Sequence, residues 1–178
     1  TVALLLAGIL IVIAGAPVLE AYRRILIGAF GSRLAISETL TRATPLILTG
    51  LAAATAFKAR LWNIGAEGQF YLGALTAAWL GSGTGLHLPM PLLIPVLMAT
   101  GAVAGMLLLL VPLGMRLHFG VDEVVTTLLL NFVVLLFVSM MIEGSMRDPL
   151  AFGWPQSVHV APNAVLPKLI VGTRLHTG

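Results

Sequence analysis

Two short stretches hold the side chains best able to do chemistry. "LWNIGAEGQF", residues 61–70, carries Asn63, Glu67 and Gln69 between two apolar blocks, and "GVDEVVTTLLLN", residues 120–131, carries Thr127 and Asn131. Four of these five are amides or a hydroxyl, which donate and accept hydrogen bonds but do not titrate. They suit recognition of a neutral polar molecule, or the locking of one helix to another, better than proton transfer or nucleophilic attack. His87, His118, His159 and His176 are scattered without ligand spacing, so no metal site is expected. There is no cysteine, no HExxH helix, no Ser-His-Asp order and no G-x-x-x-x-G-K-[ST] loop to cradle phosphates.

Helices must position these groups. Asn63 is placed to cap a helix over 64–81, accepting from its free N–H groups, with Glu67 in the first turns where the dipole favours negative charge. Gly65, Gln69, Gly73 and Thr76 share one face of that helix, so small and polar groups meet a neighbour. Two readings stand: an interfacial cap with Glu67 paired to Lys58 or Arg60, or a substrate-facing helix start lining a pathway. Further on, Glu123, Thr127 and Asn131 recur every four residues on one face. Asn131 is either an interhelical hydrogen bond or a polar contact in a route through the membrane. Asp122 and Glu123 read as a cap and its dipole complement. Gly101 and Gly105, in "GAVAG", read as helix packing.

The surroundings of these residues are those of a membrane. Hydrophobic residues make up 58% of the 178, charged ones 10%, and the mean hydropathy is +1.03. Soluble domains average about 25% charged, so too little polar side chain is present to clothe a water-facing surface. Backbone in lipid satisfies itself as helix or closed barrel, and runs such as "VVTTLLLNFVVLLFV" lack strand alternation. The expected fold is all-α: a polytopic membrane protein of about five transmembrane helices plus an interfacial amphipathic helix. The spans are 1–18, a 13-residue block at 45–57 opened by Pro45, then 64–81, 91–113 and 121–142, linked by "GSGTGLHLP" and "MRLHFG". The 45–57 block is short and must recruit residues on its N-terminal side or cross only in part. Residues 19–42 make the amphipathic helix, with Glu20 and Arg24 four apart. After Glu143 a proline-punctuated polar loop carries Arg147, Asp148 and Trp154, which suit contact with a partner protein or a plain solvated loop equally. The net charge of +3 carries no basic run with interleaved aromatics, so nucleic acid is not an expected partner. With all five blocks crossing, Arg23, Arg24, Arg33, Arg42, Arg147, Lys168 and Arg174 share one side, which the positive-inside rule places in the cytoplasm.

Three separated motifs, in order, carry a resemblance: "TPLILTGLAAATAFKARLWNIGAEGQFYLGALTAA", "GVDEVVTTLLLNFVVLLFV" and "RDPLAFGWPQS". From Leu19 onward the chain resembles the permease subunits of bacterial ABC importers in the nucleoside and simple-sugar branch. That resemblance implies a multi-pass subunit of the inner (plasma) membrane, about twice this length, of which residues 1–178 are part of one transmembrane domain, the N-terminal half. The coupling segment that touches the ATPase lies beyond residue 178. The implied partners are a cytoplasmic ABC ATPase holding ATP and Mg, a second permease subunit (identical or homologous) and an extracellular substrate-binding lipoprotein. No cofactor is bound by this chain, and it is not itself an enzyme. The resemblance also places 19–42 and 144–178 outside, against the charge count, and is preferred because arginines on an interfacial helix need not be cytoplasmic. Asn63, Glu67, Gln69, Thr127 and Asn131 then become candidates for the substrate pathway. The alternatives are a permease for ribose, other sugars or branched-chain amino acids, an ion-coupled secondary transporter, and a purely structural membrane subunit.

Overall fold

A computed structural model describes residues 2–82 and 88–177, so His87 and most of the glycine-rich link lie outside the described residues. The chain divides into two units, residues 1–46 with 167–178, and residues 47–166. Among the described residues six α-helices follow in order: α1 Val2–Ile13, α2 Val18–Phe30, α3 Arg33–Lys58, α4 Ala66–Gly81, α5 Met90–Phe119 and α6 Glu123–Glu143. The described residues contain no strand, only two isolated bridges, Arg147 with Ser157 and Lys168 with His176. The fold is all-helical, as the composition requires of a chain with so few groups to place in water.

Among the described residues three helices, α3, α5 and α6, are long and apolar enough to cross a bilayer. With 16 residues α4 reaches only about 24 Å, and α1 with 12 is shorter still. Several boundaries differ from the sequence expectation. Residues 19–42 are not one helix: the chain breaks at Gly31 and Ser32, and Ser32 Oγ accepts from the Ala35 amide at 3.0 Å to start α3. Nor does Pro45 open a helix. It lies inside α3, so the 45–57 block does recruit the residues before it. Likewise α5 runs through Pro95 and Pro112 and takes in "MRLHF", leaving only Gly120–Asp122 as the link. Pro112 is fully buried, and packing there outweighs the lost helix hydrogen bond.

In the unit formed by residues 47–166, α4 packs chiefly on α5 and then on α6. The buried apolar core is Leu75 from α4, Val134 and Val138 from α6, and Met146 just beyond. The polar segment after α6 returns to the C-terminal end of α4, where the Ala161 amide donates to the Gly81 carbonyl at 2.7 Å. Asn163 Nδ2 donates to the Leu88 carbonyl at 2.8 Å. In the unit containing residues 1–46, Tyr22 donates its hydroxyl to the Leu4 carbonyl, and Arg24 pairs with Glu20 at 2.9 Å. At the start of α6, Asp122 is the N-cap and accepts from the Val124 amide at 2.8 Å. Asp122→Ala should therefore destabilise the protein by about 1 kcal/mol, seen as a small fall in the unfolding temperature in detergent.

Candidate functional site

Between α3 and α4 the chain makes a tight turn whose backbone is closed by its own side chains. The turn begins with a helix-ending motif in which Arg60 donates to Phe57 O and Leu61 to Ala56 O. Arg60 sits in the left-handed region at φ 58°, where glycine is usual. Phe57 packs against Trp62 with ring centroids 5.2 Å apart and ring planes tilted by 43°. Asn63 is buried, and its Oδ1 accepts from the Gly65 amide at 2.9 Å while Nδ2 donates to Gln69 Oε1 at 3.2 Å. The helix start differs from the expectation here: α4 begins at Ala66, and Asn63 folds the turn before it rather than capping it.

The first turns of α6 lie against this turn. Thr127 Oγ1 accepts from the Ile64 amide at 3.2 Å and itself donates to Glu123 O at 2.7 Å. One turn deeper, Asn131 Nδ2 reaches Glu67 Oε2 at a long 3.4 Å, while Asn131 Oδ1 is buried with no hydrogen-bond partner among the described residues. The close approach depends on two glycines of the α4 start. A Cβ on Gly65 would lie 2.8 Å from Thr127 O, and one on Gly68 would lie 2.8 Å from Asn131 Oδ1. Asn63, Gln69, Glu67, Thr127 and Asn131, read from two distant stretches, thus stand in one connected patch.

Glu67 makes no ion pair among the described residues, so the expected pairing with Lys58 or Arg60 is replaced by the amide of Asn131. The Arg60 carbonyl instead accepts from Arg116 Nη1 at 3.1 Å, and the same nitrogen meets Glu123 Oε1 at 2.6 Å. Sequence reasoning missed this contact. Only its Arg116–Glu123 half left a signal, an opposite-charge pair flanking the short link between two apolar helices.

The face expected to join Gly65, Gln69, Gly73 and Thr76 divides between two neighbours. Gly65 lies on α6, whereas Gly73 lies on Gly101 of α5, and Gly105 of α5 lies on the Gln69 carbonyl. Beyond α6, Arg147 and Trp154 line an open cavity of about 320 Å³ with Glu143 and Pro155. Asp148 is turned from it: Oδ1 accepts from the Leu150 amide at 2.9 Å and Oδ2 lies 3.6 Å from His159. This loop does not meet the polar patch; it stands at the opposite end of α6.

The arrangement offers hydrogen-bonding groups at a helix start in an otherwise apolar bundle, and no nucleophile or base–acid pair. A glucose ABC transporter permease of Haloferax volcanii is 36% identical over 167 residues, 94% of this chain and 43% of the relative. A guanosine ABC transporter permease of Bacillus subtilis is 36% identical over 145 residues, 81% of this chain and 41% of the relative. A nucleoside ABC transporter permease of Lactococcus lactis is 36% identical over 140 residues, 79% and 38%. The chain spans less than half the length of these relatives, and no solved structure matches it. The family described as "Branched-chain amino acid transport system / permease component" matches residues 35–168, and the chain belongs to that permease family.

Proposed function

We propose that the chain is a membrane-spanning part of the permease of an ATP-driven importer that moves nucleosides or related sugar-containing solutes into the cell. The observation that carries this reading is the patch of Asn63, Gln69, Glu67, Thr127 and Asn131, joined across α4 and α6 with one amide oxygen left over. A neutral solute needs hydrogen-bond partners in transit, and weak ones let it leave. Two of the relatives above are named for guanosine and nucleosides and one for glucose. Under this proposal the protein resides in the plasma membrane. A second permease subunit encloses the path and a binding lipoprotein delivers solute. ATP and Mg are held by a separate ATPase, so this chain catalyses nothing itself.

The test is uptake of labelled uridine by cells whose nucleoside import depends on the transporter containing this permease, in competition with unlabelled uridine, ribose, glucose and leucine. Uridine at about ten times its dissociation constant should cut uptake about tenfold, and leucine should leave it unchanged. Suppression by leucine alone would move the assignment to amino acids. Loss of uptake on dissipating the proton gradient with ATP maintained would point to an ion-coupled transporter.

A further inference from the structure

We propose that Arg116 and Glu123 are positioning residues whose ion pair grips the Arg60–Gly65 turn and so sets where Asn63 and Gln69 stand. The inference rests on the transport reading above for its functional half, and on geometry alone for its structural half.

The turn is held at one end by Arg116 of α5, itself paired with Glu123 of α6, and at the other by Thr127 of α6. At its start, the Arg60 carbonyl accepts from Arg116 Nη1, and that nitrogen is fixed 2.6 Å from Glu123. At its end, the Ile64 amide donates to Thr127, one helical turn along from Glu123 and bonded to Glu123's own carbonyl. Between these two anchors lies Asn63, whose side chain closes the turn on Gly65 and reaches Gln69. Moving either anchor moves Asn63.

Two features mark the first anchor as more than a surface ion pair. The Glu123 side chain is only 11% exposed while Arg116 is 41% exposed, so the buried carboxylate is held from the more open side by a guanidinium that still reaches water. Arg60 holds a left-handed backbone without being glycine, a conformation that persists only where the surroundings over-determine it. The contact made by Arg116 to that residue's carbonyl supplies such a constraint. Arg116 also extends from the last turn of α5, where a cation complements the helix dipole. Three helix ends therefore converge on one guanidinium.

The experiment pairs hydrogen exchange of the 61–66 amides, measured on the assembled transporter in detergent, with uridine uptake in cells. In R116Q, exchange of these amides should rise about tenfold while the interior of α4 stays protected, which corresponds to a local opening without global unfolding. The half-saturation concentration should rise about fivefold with maximal uptake and membrane abundance within twofold, the mark of altered binding rather than of lost protein. R116K should recover both readouts, because a single nitrogen makes both contacts. Should R116Q fail to reach the membrane, E123Q, which leaves no unpaired buried charge, is read the same way. Unchanged exchange in the variant would overturn the inference, as would raised exchange with an unchanged half-saturation concentration. If the unaltered transporter takes up no uridine, glucose or ribose, the transport reading fails, while the exchange arm still decides whether the ion pair holds the turn.

Discussion

Gly73→Val should leave almost no folded transporter in the membrane. A Cβ at Gly73 would stand 2.8 Å from the Gly101 carbonyl oxygen, and a Cβ at Gly101 would stand 3.1 Å from the Gly73 oxygen. The atom met in each case is backbone, so no side chain can rotate away. Gly105 continues the seam, with its Cβ position 3.3 Å from the Gln69 oxygen. Overpacking a core costs about 1–3 kcal/mol when side chains can yield. Here two helices must separate, and α4 carries both Leu75 of the core and the start that bears Glu67 and Gln69. Against a total stability of about 5–15 kcal/mol, valine is expected to abolish accumulation and alanine to reduce it severalfold, as measured by immunoblot and by unfolding temperature in detergent. Gly114→Ala is the matched control, since nothing lies within 4 Å of its Cβ position. It should be tolerated. Normal abundance of Gly73→Val would show that α4 and α5 do not cross at these glycines.

Asn131→Leu should have the opposite signature: full-length, abundant permease with little uptake. Asn131 is 8% exposed, its Oδ1 has no hydrogen-bond partner among the described residues, and its one contact to Glu67 is long at 3.4 Å. Interhelical hydrogen bonds in membranes average about 0.6 kcal/mol, while an unsatisfied buried polar atom costs about 1–3 kcal/mol. Leucine keeps the branching at Cγ while removing both, and its added bulk costs no more than about 1–3 kcal/mol, too little to abolish accumulation. If the amide instead serves the passing solute, its loss withdraws a partner worth about 2 kcal/mol, or about thirtyfold in rate. Initial uptake rates normalised to membrane abundance measure this. Uptake at the unaltered rate takes Asn131 off the route, and lost abundance makes it a packing residue.

Much of the architecture was legible because lipid imposes a coarse rule: apolar runs become helices. The 121–142 block became α6 almost residue for residue, with Asp122 capping it. What failed was punctuation. Proline and a glycine–serine pair are weighed locally in a sequence, yet α3 and α5 carry Pro45, Pro95 and Pro112 internally while the chain breaks at Gly31 and Ser32. Tertiary packing decides such cases, as buried Pro112 illustrates. The same limit applies to the polar patch. Spacing put Glu123, Thr127 and Asn131 on one face, but it could not show that they face the 61–70 stretch. The Arg116 contact to Arg60 spans 56 positions and uses a carbonyl, which no pattern of side chains reveals.

The return of the polar tail to α4 fixes an order of events during biogenesis. Gly81 O accepts from the Ala161 amide and Leu88 O from Asn163 Nδ2, the latter pair lying 75 positions apart. Both bonds can form only after residue 163 has been synthesised, so this end of the bundle closes after α4, α5 and α6 have all been made.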